Sequence, residues 1–243
     1  SYGASFGDYN NDGFLDLYIC NYHTNIDLST NELYQNNGDG TFTNVTVLAG
    51  VGNGFAQSFQ STFIDIDLDG HLDLHVINDR VDYPNVFYKN NGDGSFTDMA
   101  TDWEVDLTIL AMSSSFSDYD RDGDMDLYVS NGSNGNYLLR NNLNTHGNFE
   151  NIAVQEEVEV GQISWGASWF DHNNDTWSDL YIATGITMYT EIPLVFDDYG
   201  YQPNQFFIND GWTPMTNASL STPLNDQYSF AVATGDYNND GFP

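Results

Sequence analysis

Asp65-Ile66-Asp67-Leu68-Asp69-Gly70-His71-Leu72-Asp73 sets an oxygen-bearing side chain at its first, third, fifth and ninth positions and a glycine at its sixth. The same frame is written as Asp8-Tyr9-Asn10-Asn11-Asp12-Gly13-Phe14-Leu15-Asp16 and as Asp118-Tyr119-Asp120-Arg121-Asp122-Gly123-Asp124-Met125-Asp126. A fourth copy, Asp171-His172-Asn173-Asn174-Asp175-Thr176-Trp177-Ser178-Asp179, has threonine where the others have glycine. A fifth, Asp236-Tyr237-Asn238-Asn239-Asp240-Gly241-Phe242, reaches only its seventh position. In a loop of this pattern alternate residues turn inward, the carbonyl of position 7 adds an oxygen, and glycine at position 6 permits a sharp turn. A hard cation that takes six to eight oxygens needs that arrangement. One such loop could be an Asx-rich surface turn; five in a common frame point to Ca2+. The candidate ligands are the side chains at positions 1, 3, 5 and 9 and the carbonyls of Phe14, His71, Asp124, Trp177 and Phe242. One ion is expected in each of the four complete loops.

The first aspartates stand at 8, 65, 118, 171 and 236, and a recurrence of this length indicates a solenoid, propeller or array. Each unit carries a second landmark, Leu33-Tyr34-Gln35-Asn36-Asn37-Gly38-Asp39-Gly40-Thr41-Phe42 in the first and Phe87-Tyr88-Lys89-Asn90-Asn91-Gly92-Asp93-Gly94-Ser95-Phe96 in the second. Looser copies begin at Leu138-Leu139-Arg140-Asn141-Asn142 and Phe206-Phe207-Ile208-Asn209-Asp210-Gly211. Asn, Asp and Gly between aromatic-rich runs signal a tight hairpin. Asp39 and Asp93 therefore read as turn residues, since the other two units lack the acid.

The apolar runs between these landmarks predict four strands per unit: Tyr2–Gly7, Leu15–Cys20, Glu32–Gln35 and Thr41–Val45, then Phe59–Ile64, Leu72–Ile77, Val86–Lys89 and Ser95–Met99. No run of about ten residues has a helical period. Four antiparallel strands per repeat describe a β-propeller blade. The expected fold is all-β, one partial propeller domain over 1–243, with repeats near 1–55, 56–107, 108–157 and 158–225 and a truncated one at 226–243. The acidic loops and the hairpins then share one face.

Thirty-six acids stand against four bases, Arg80, Lys89, Arg121 and Arg140, giving a formal charge of −32. Aromatics at 15% and hydrophobics at 40% exclude an acidic disordered chain, so the fold needs a counterion. Seventeen of the acids lie in the five loops. Four bound divalent ions leave the chain strongly acidic, which disfavours nucleic acid and anionic membrane as partners. The single cysteine, Cys20, excludes an intramolecular disulfide and reads as a buried, inert strand residue. No apolar run approaches the ~20 residues of a membrane span.

Together, Asp-x-(Asp/Asn)-x-Asp-Gly-x-x-Asp and the downstream Leu33-Tyr34-Gln35-Asn36-Asn37-Gly38-Asp39-Gly40-Thr41-Phe42 resemble the FG-GAP repeat. That repeat builds the calcium-loop blades of the integrin α-subunit propeller and of the bacterial secreted proteins known as VCBS-repeat proteins. The phrase closes with Thr43-Asn44-Val45-Thr46 and is most similar to the bacterial and cartilage-acidic-protein-like branch. The resemblance implies a propeller, usually of seven blades, outside the cytoplasm, with calcium in the loops joining strands 1 and 2. Four full units and the start of a fifth imply a segment of a longer polypeptide.

Extracellular modules with such loops bind calcium at roughly 10⁻⁴ to 10⁻³ M, too weakly for the cytosol to fill them. This argues for a secreted or cell-surface location. Charge count ranks loops two and three, with four ligand carboxylates each, above loops one and four, and Thr176 makes loop four the weakest. Between Asp179 and Asn209 the fourth unit is longer than the others, and this excess holds Tyr189, Phe196, Tyr199 and Tyr201. Aromatics beside carboxylates suit stacking on a sugar or docking a protein, and a self-packed excursion is the alternative. The five histidines, His23, His71, His75, His146 and His172, accompany no nucleophile motif. The reading is a binding or adhesion module for an extracellular protein or carbohydrate ligand. Its alternatives are a carbohydrate-active propeller enzyme, a lyase or hydrolase, and a purely structural repeat of a large surface or fibre protein.

Overall fold

The computed structural model describes residues 2–22, 30–132, 134–185, 203–219, 229–236, 238, 240 and 241. They form four four-stranded antiparallel sheets, with strands paired in sequence order within each. The first sheet holds β1 (Gly3–Gly7), β2 (Asp16–Cys20), β3 (Glu32–Asn36) and β4 (Phe42–Asn44). The second holds β5 (Ser58–Ile64), β6 (Asp73–Asn78), β7 (Val86–Asn90) and β8 (Phe96–Asp98). The third is β9 (Ser113–Ser117), β10 (Asp126–Ser130), β11 (Tyr137–Asn141) and β12 (Phe149–Asn151). The fourth is β13 (Ser164–Phe170), β14 (Asp179–Thr184), β15 (Gln205–Ile208) and β16 (Thr216–Asn217). Meanders of this kind, one per repeat, are how propeller blades are built. A short helix, α1 (Thr46–Ala49), follows β4 and ends at Gly50, whose φ of 80° only glycine adopts without strain.

The register is the same in all four sheets. Gly7 faces Asp16, Ile64 faces Asp73, Ser117 faces Asp126 and Phe170 faces Asp179. Each of the four complete acidic loops thus bridges strands 1 and 2, and its ninth residue is the first of strand 2. Strand 2 is the most buried of each sheet, and every residue of β6 and β10 is inside. This explains their near-continuous apolar runs.

The chain divides into two compact units, Ser1–Met112 with Asn141–Glu150, and Ser113–Arg140 with Asn151–Pro243. In the first, Tyr18, Leu33, Val51, Leu74, Val76 and Tyr88 make the core. Sheets one and two meet through β1 and β5, where the Ser5 and Ser61 hydroxyls are 2.8 Å apart. A Cβ on Gly3 would stand 2.5 Å from the Phe59 carbonyl, so this approach requires glycine. In the second unit Tyr128, Leu138, Ile152, Val158, Leu180 and Phe207 pack together. Equivalent tyrosines close both cores: Tyr18 donates to the Val51 carbonyl at 2.7 Å and Tyr128 to that of Val158 at 3.0 Å. Cys20 is fully buried, and burial pushes its thiol up to about 11.

Candidate metal centre

Two left-handed residues shape each of the four complete loops. Position 4 has φ of 57° at Asn11, 59° at Leu68, 62° at Arg121 and 60° at Asn174. Position 6 has φ of 89° at Gly13, 88° at Gly70, 98° at Gly123, 88° at Gly241 and 76° at Thr176. In loops two and three the turns between them bring the side chains of positions 1 and 3 round toward the buried ninth residue.

That ninth residue is a clamp. Asp16, Asp73, Asp126 and Asp179 are each fully buried. One oxygen of each accepts the backbone N–H of loop position 2, at 3.2 Å from Tyr9, Ile66 and Tyr119 and 2.9 Å from His172. The other oxygen of Asp16, Asp73 and Asp179 accepts the N–H of the hairpin asparagine, Asn36, Asn90 and Asn209 respectively, at 2.8 Å. The hairpin asparagines then reach to a neighbouring loop: Asn90 donates to the Tyr9 carbonyl at 2.8 Å, Asn141 to that of Ile66 at 3.2 Å and Asn209 to that of Tyr119 at 2.7 Å.

Positions 1, 3 and 9 converge in two loops. Carboxylate oxygens of Asp65, Asp67 and Asp73 lie within 4.8 Å of one another, as do those of Asp118, Asp120 and Asp126. In these loops Oδ1 of Asp67, Asp118, Asp120 and Asp124 is buried with no hydrogen-bond partner. An anionic oxygen in that state is costly unless a cation takes it. The donor set, all hard oxygen and acidic, fits a divalent ion of the calcium type. Burial pushes the Asp73 carboxyl up to about 7. Burial, then the neighbouring Asp122 and Asp120, pushes Asp124 up to about 6. Loop three has the most exacting demand, with three such oxygens and no backbone N–H on Asp118 Oδ1.

Backbone N–H groups also occupy the expected ligands, Asp65 included, which accepts from Asp69 and Gly70 at 3.0 Å each. At position 5, Asp69 accepts the His71 N–H at 3.0 Å and Asp122 that of Asp124 at 3.2 Å, so both brace the turn. In loop one Asp8 accepts from Asp12 at 3.0 Å and Gly13 at 2.8 Å; in loop four Asp171 accepts from Asp175 at 3.0 Å and Thr176 at 2.7 Å. The amide oxygens of Asn10 and Asn173 each accept at 3.1 Å from the N–H of position 5. In loop five Asp236 and Asn238 repeat this pattern about Asp240. Phe242 lies outside the described residues, as do Tyr189, Phe196, Tyr199 and Tyr201.

Three features escape a linear reading. Lys89 on β7 donates its ammonium to Asp67 and, at 2.7 Å, to Asp69 Oδ2. The ring at position 7 lies on the hairpin glycine, so that a Cβ at Gly38, Gly92 or Gly211 would stand 2.8, 2.9 or 2.5 Å from Phe14, His71 or Trp177. Loop three has Asp124 at position 7 and its hairpin has Leu143, so ring and glycine are absent together. Position 4 hooks the next loop: Asn11 donates to the Gly70 carbonyl at 3.1 Å, Asn174 to that of Gly241 at 2.7 Å, and the Arg121 guanidinium stands 5.0 Å from the Trp177 ring centre. The side-by-side alignment of repeats carries the signal for all three.

The FG-GAP-like repeat matches this chain three times, over residues 8–76, 65–129 and 118–182. Each match runs from one acidic loop through strand 2 of the following repeat, and the chain belongs to the FG-GAP-like repeat family. No curated protein matches it. Among solved structures it is similar to an Agrocybe aegerita lectin, described as specifically recognising non-reducing terminal N-acetylglucosamine. The two are 16% identical, with a TM-score of 0.45 over 88% of this chain and 50% of that one. The chain thus spans about half the length of that lectin.

Proposed function

We propose that this chain is a calcium-stabilised β-propeller segment of a secreted or cell-surface protein, serving as a binding module for an extracellular protein or carbohydrate. The observation that carries the calcium reading is the set of buried, unpartnered carboxylate oxygens in loops two and three. Position 1, 3, 5 and 9 side chains and the position 7 carbonyl would hold the ion in each complete loop. The ion would supply the positive charge that these oxygens lack and tie strand 1, strand 2 and the hairpin through the shared ninth residue. Adhesion and binding roles are supported by membership of the repeat family, and a location outside the cytoplasm by the modest affinity of such loops. Equilibrium dialysis of the purified chain against calcium tests the reading. It predicts about four ions per chain, poorly displaced by magnesium, whose smaller octahedral shell suits these loops less. No bound calcium at ~10 mM, tenfold above the weak end of the range for such modules, would overturn it.

A further inference from the structure

The residue just before the hairpin asparagine differs among the repeats in step with loop position 3. Where position 3 is Asn10 or Asn173, that residue is Gln35 or Ile208. Where position 3 is Asp67 or Asp120, it is Lys89 or Arg140. The asparagine loops need no added charge between positions 3 and 5. The Asn10 amide donates to Asp12 Oδ2 at 2.9 Å, Asn173 to Asp175 at 2.8 Å and Asn238 to Asp240 at 2.9 Å. An aspartate at position 3 cannot donate, and two carboxylates would face each other there. In loop two the Lys89 ammonium fills the donor's place, bonding Asp67 and Asp69 together. Asp67 is thereby shared, with Oδ2 on Lys89 and Oδ1 left buried and unpartnered, in a carboxylate that clusters with those of Asp65 and Asp73. Arg140 is half-buried at the same strand position, and its charge acts on Asp120 and Glu156.

We propose that Lys89, and Arg140 at the equivalent position, are tethered counter-cations. Each cancels the additional ligand carboxylate at position 3 and opposes calcium electrostatically in its loop, and Lys89 also holds Asp67 and Asp69 together when the metal leaves. Loops two and three are thus not ranked above the others by carboxylate count, because the extra acid arrives with its own cation. The inference rests on the calcium reading above and adds to it a device that sets affinity.

The test is calcium titration by chelator competition on the full chain, alongside Lys89→Gln and the reciprocal Gln35→Lys, with melting of each in metal-free buffer. Lys89→Gln removes a unit charge beside the ligands, so one site should tighten on the order of tenfold at low ionic strength, the gain shrinking with added salt. Its metal-free form should melt at a lower temperature, since Asp67 and Asp69 then repel. Gln35→Lys brings an ammonium to loop one and should weaken one site. A Lys89→Gln chain whose sites are unchanged, or one of them weaker, would overturn the proposal and make the lysine a positioning residue for Asp67. Gln35→Lys with unchanged affinities would overturn it independently of how the first variant folds. Failure of the unsubstituted chain to bind calcium would remove the reading beneath it, an outcome distinct from both.

Discussion

Thr176 shows what position 6 demands. At φ 76° a β-branched residue occupies the conformation that glycine takes in the other four loops, while its N–H still serves Asp171. The Thr176 side chain is exposed, and relief of the strain outweighs the added freedom of glycine in the unfolded chain, so Thr176→Gly should stabilise by about 1 kcal/mol and raise the melting midpoint by ~2–4 °C. An unchanged or lower midpoint would mean that the loop has relaxed around threonine. Titration gives a second test at this scale. The Asp73 carboxyl sits at about 7 and Asp124 at about 6 in the metal-free fold, both raised chiefly by burial from an ordinary 3.8. The folded chain therefore holds these protons more tightly than the unfolded one. Their contribution is complete below about pH 4 and is lost as pH rises through 6 to 7. Buried His75, pushed down to about 3, works in the opposite sense below its ordinary 6.5. Between pH 8 and pH 6 the acids dominate, so metal-free protein should melt higher at pH 6 than at pH 8. With calcium bound the order should reverse, because protons then compete with the ion for the same oxygens.

The element that repeats is the loop and hairpin locked together, and its strongest tie is the hairpin asparagine. Asn90 is buried, and its amide donates to the carbonyls of Tyr9 and Leu72, at 2.8 and 3.0 Å. Asn90→Ala leaves both without that donor and should cost about 2–4 kcal/mol by chemical denaturation. A loss below about 0.5 kcal/mol, the range of an ordinary surface change, would deny the tie between sheets one and two. Much of this element was legible in the chain. The runs Val86–Lys89 and Leu72–Ile77 fall within a residue of β7 and β6, because alternating and continuous apolar stretches between turn residues are a local signal. The Asp-x-Asp-x-Asp-Gly frame likewise revealed the loops, since position 6 turns on one residue's φ. Lys89 was not legible: it lies 22 positions from Asp67, and only pairing of β6 with β7 brings them together. Nor was the turn-bracing role of Asp69 and Asp122, because the pattern names an oxygen without saying which N–H it meets. Helix α1 also escaped, at four residues too short to show a period.

At the scale of the whole molecule, the formal charge of −32 comes from thirty-six acids of which seventeen lie in the five loops, and loops two and three place carboxylates within 4.8 Å of one another. Hydrophobic cores and interlocked hairpins oppose that repulsion, and on this account calcium completes the balance. Sites that bind only the folded chain at roughly 10⁻⁴ to 10⁻³ M should together add several kcal/mol of stability in ~10 mM calcium. The direct measurement is the melting midpoint of one preparation, first stripped by chelator with metal loss confirmed by elemental analysis, then given calcium, then magnesium. The account predicts a fall of about 10 °C or more on stripping, recovery with calcium and little with magnesium. A stripped protein that melts where the calcium-loaded one does would contradict it.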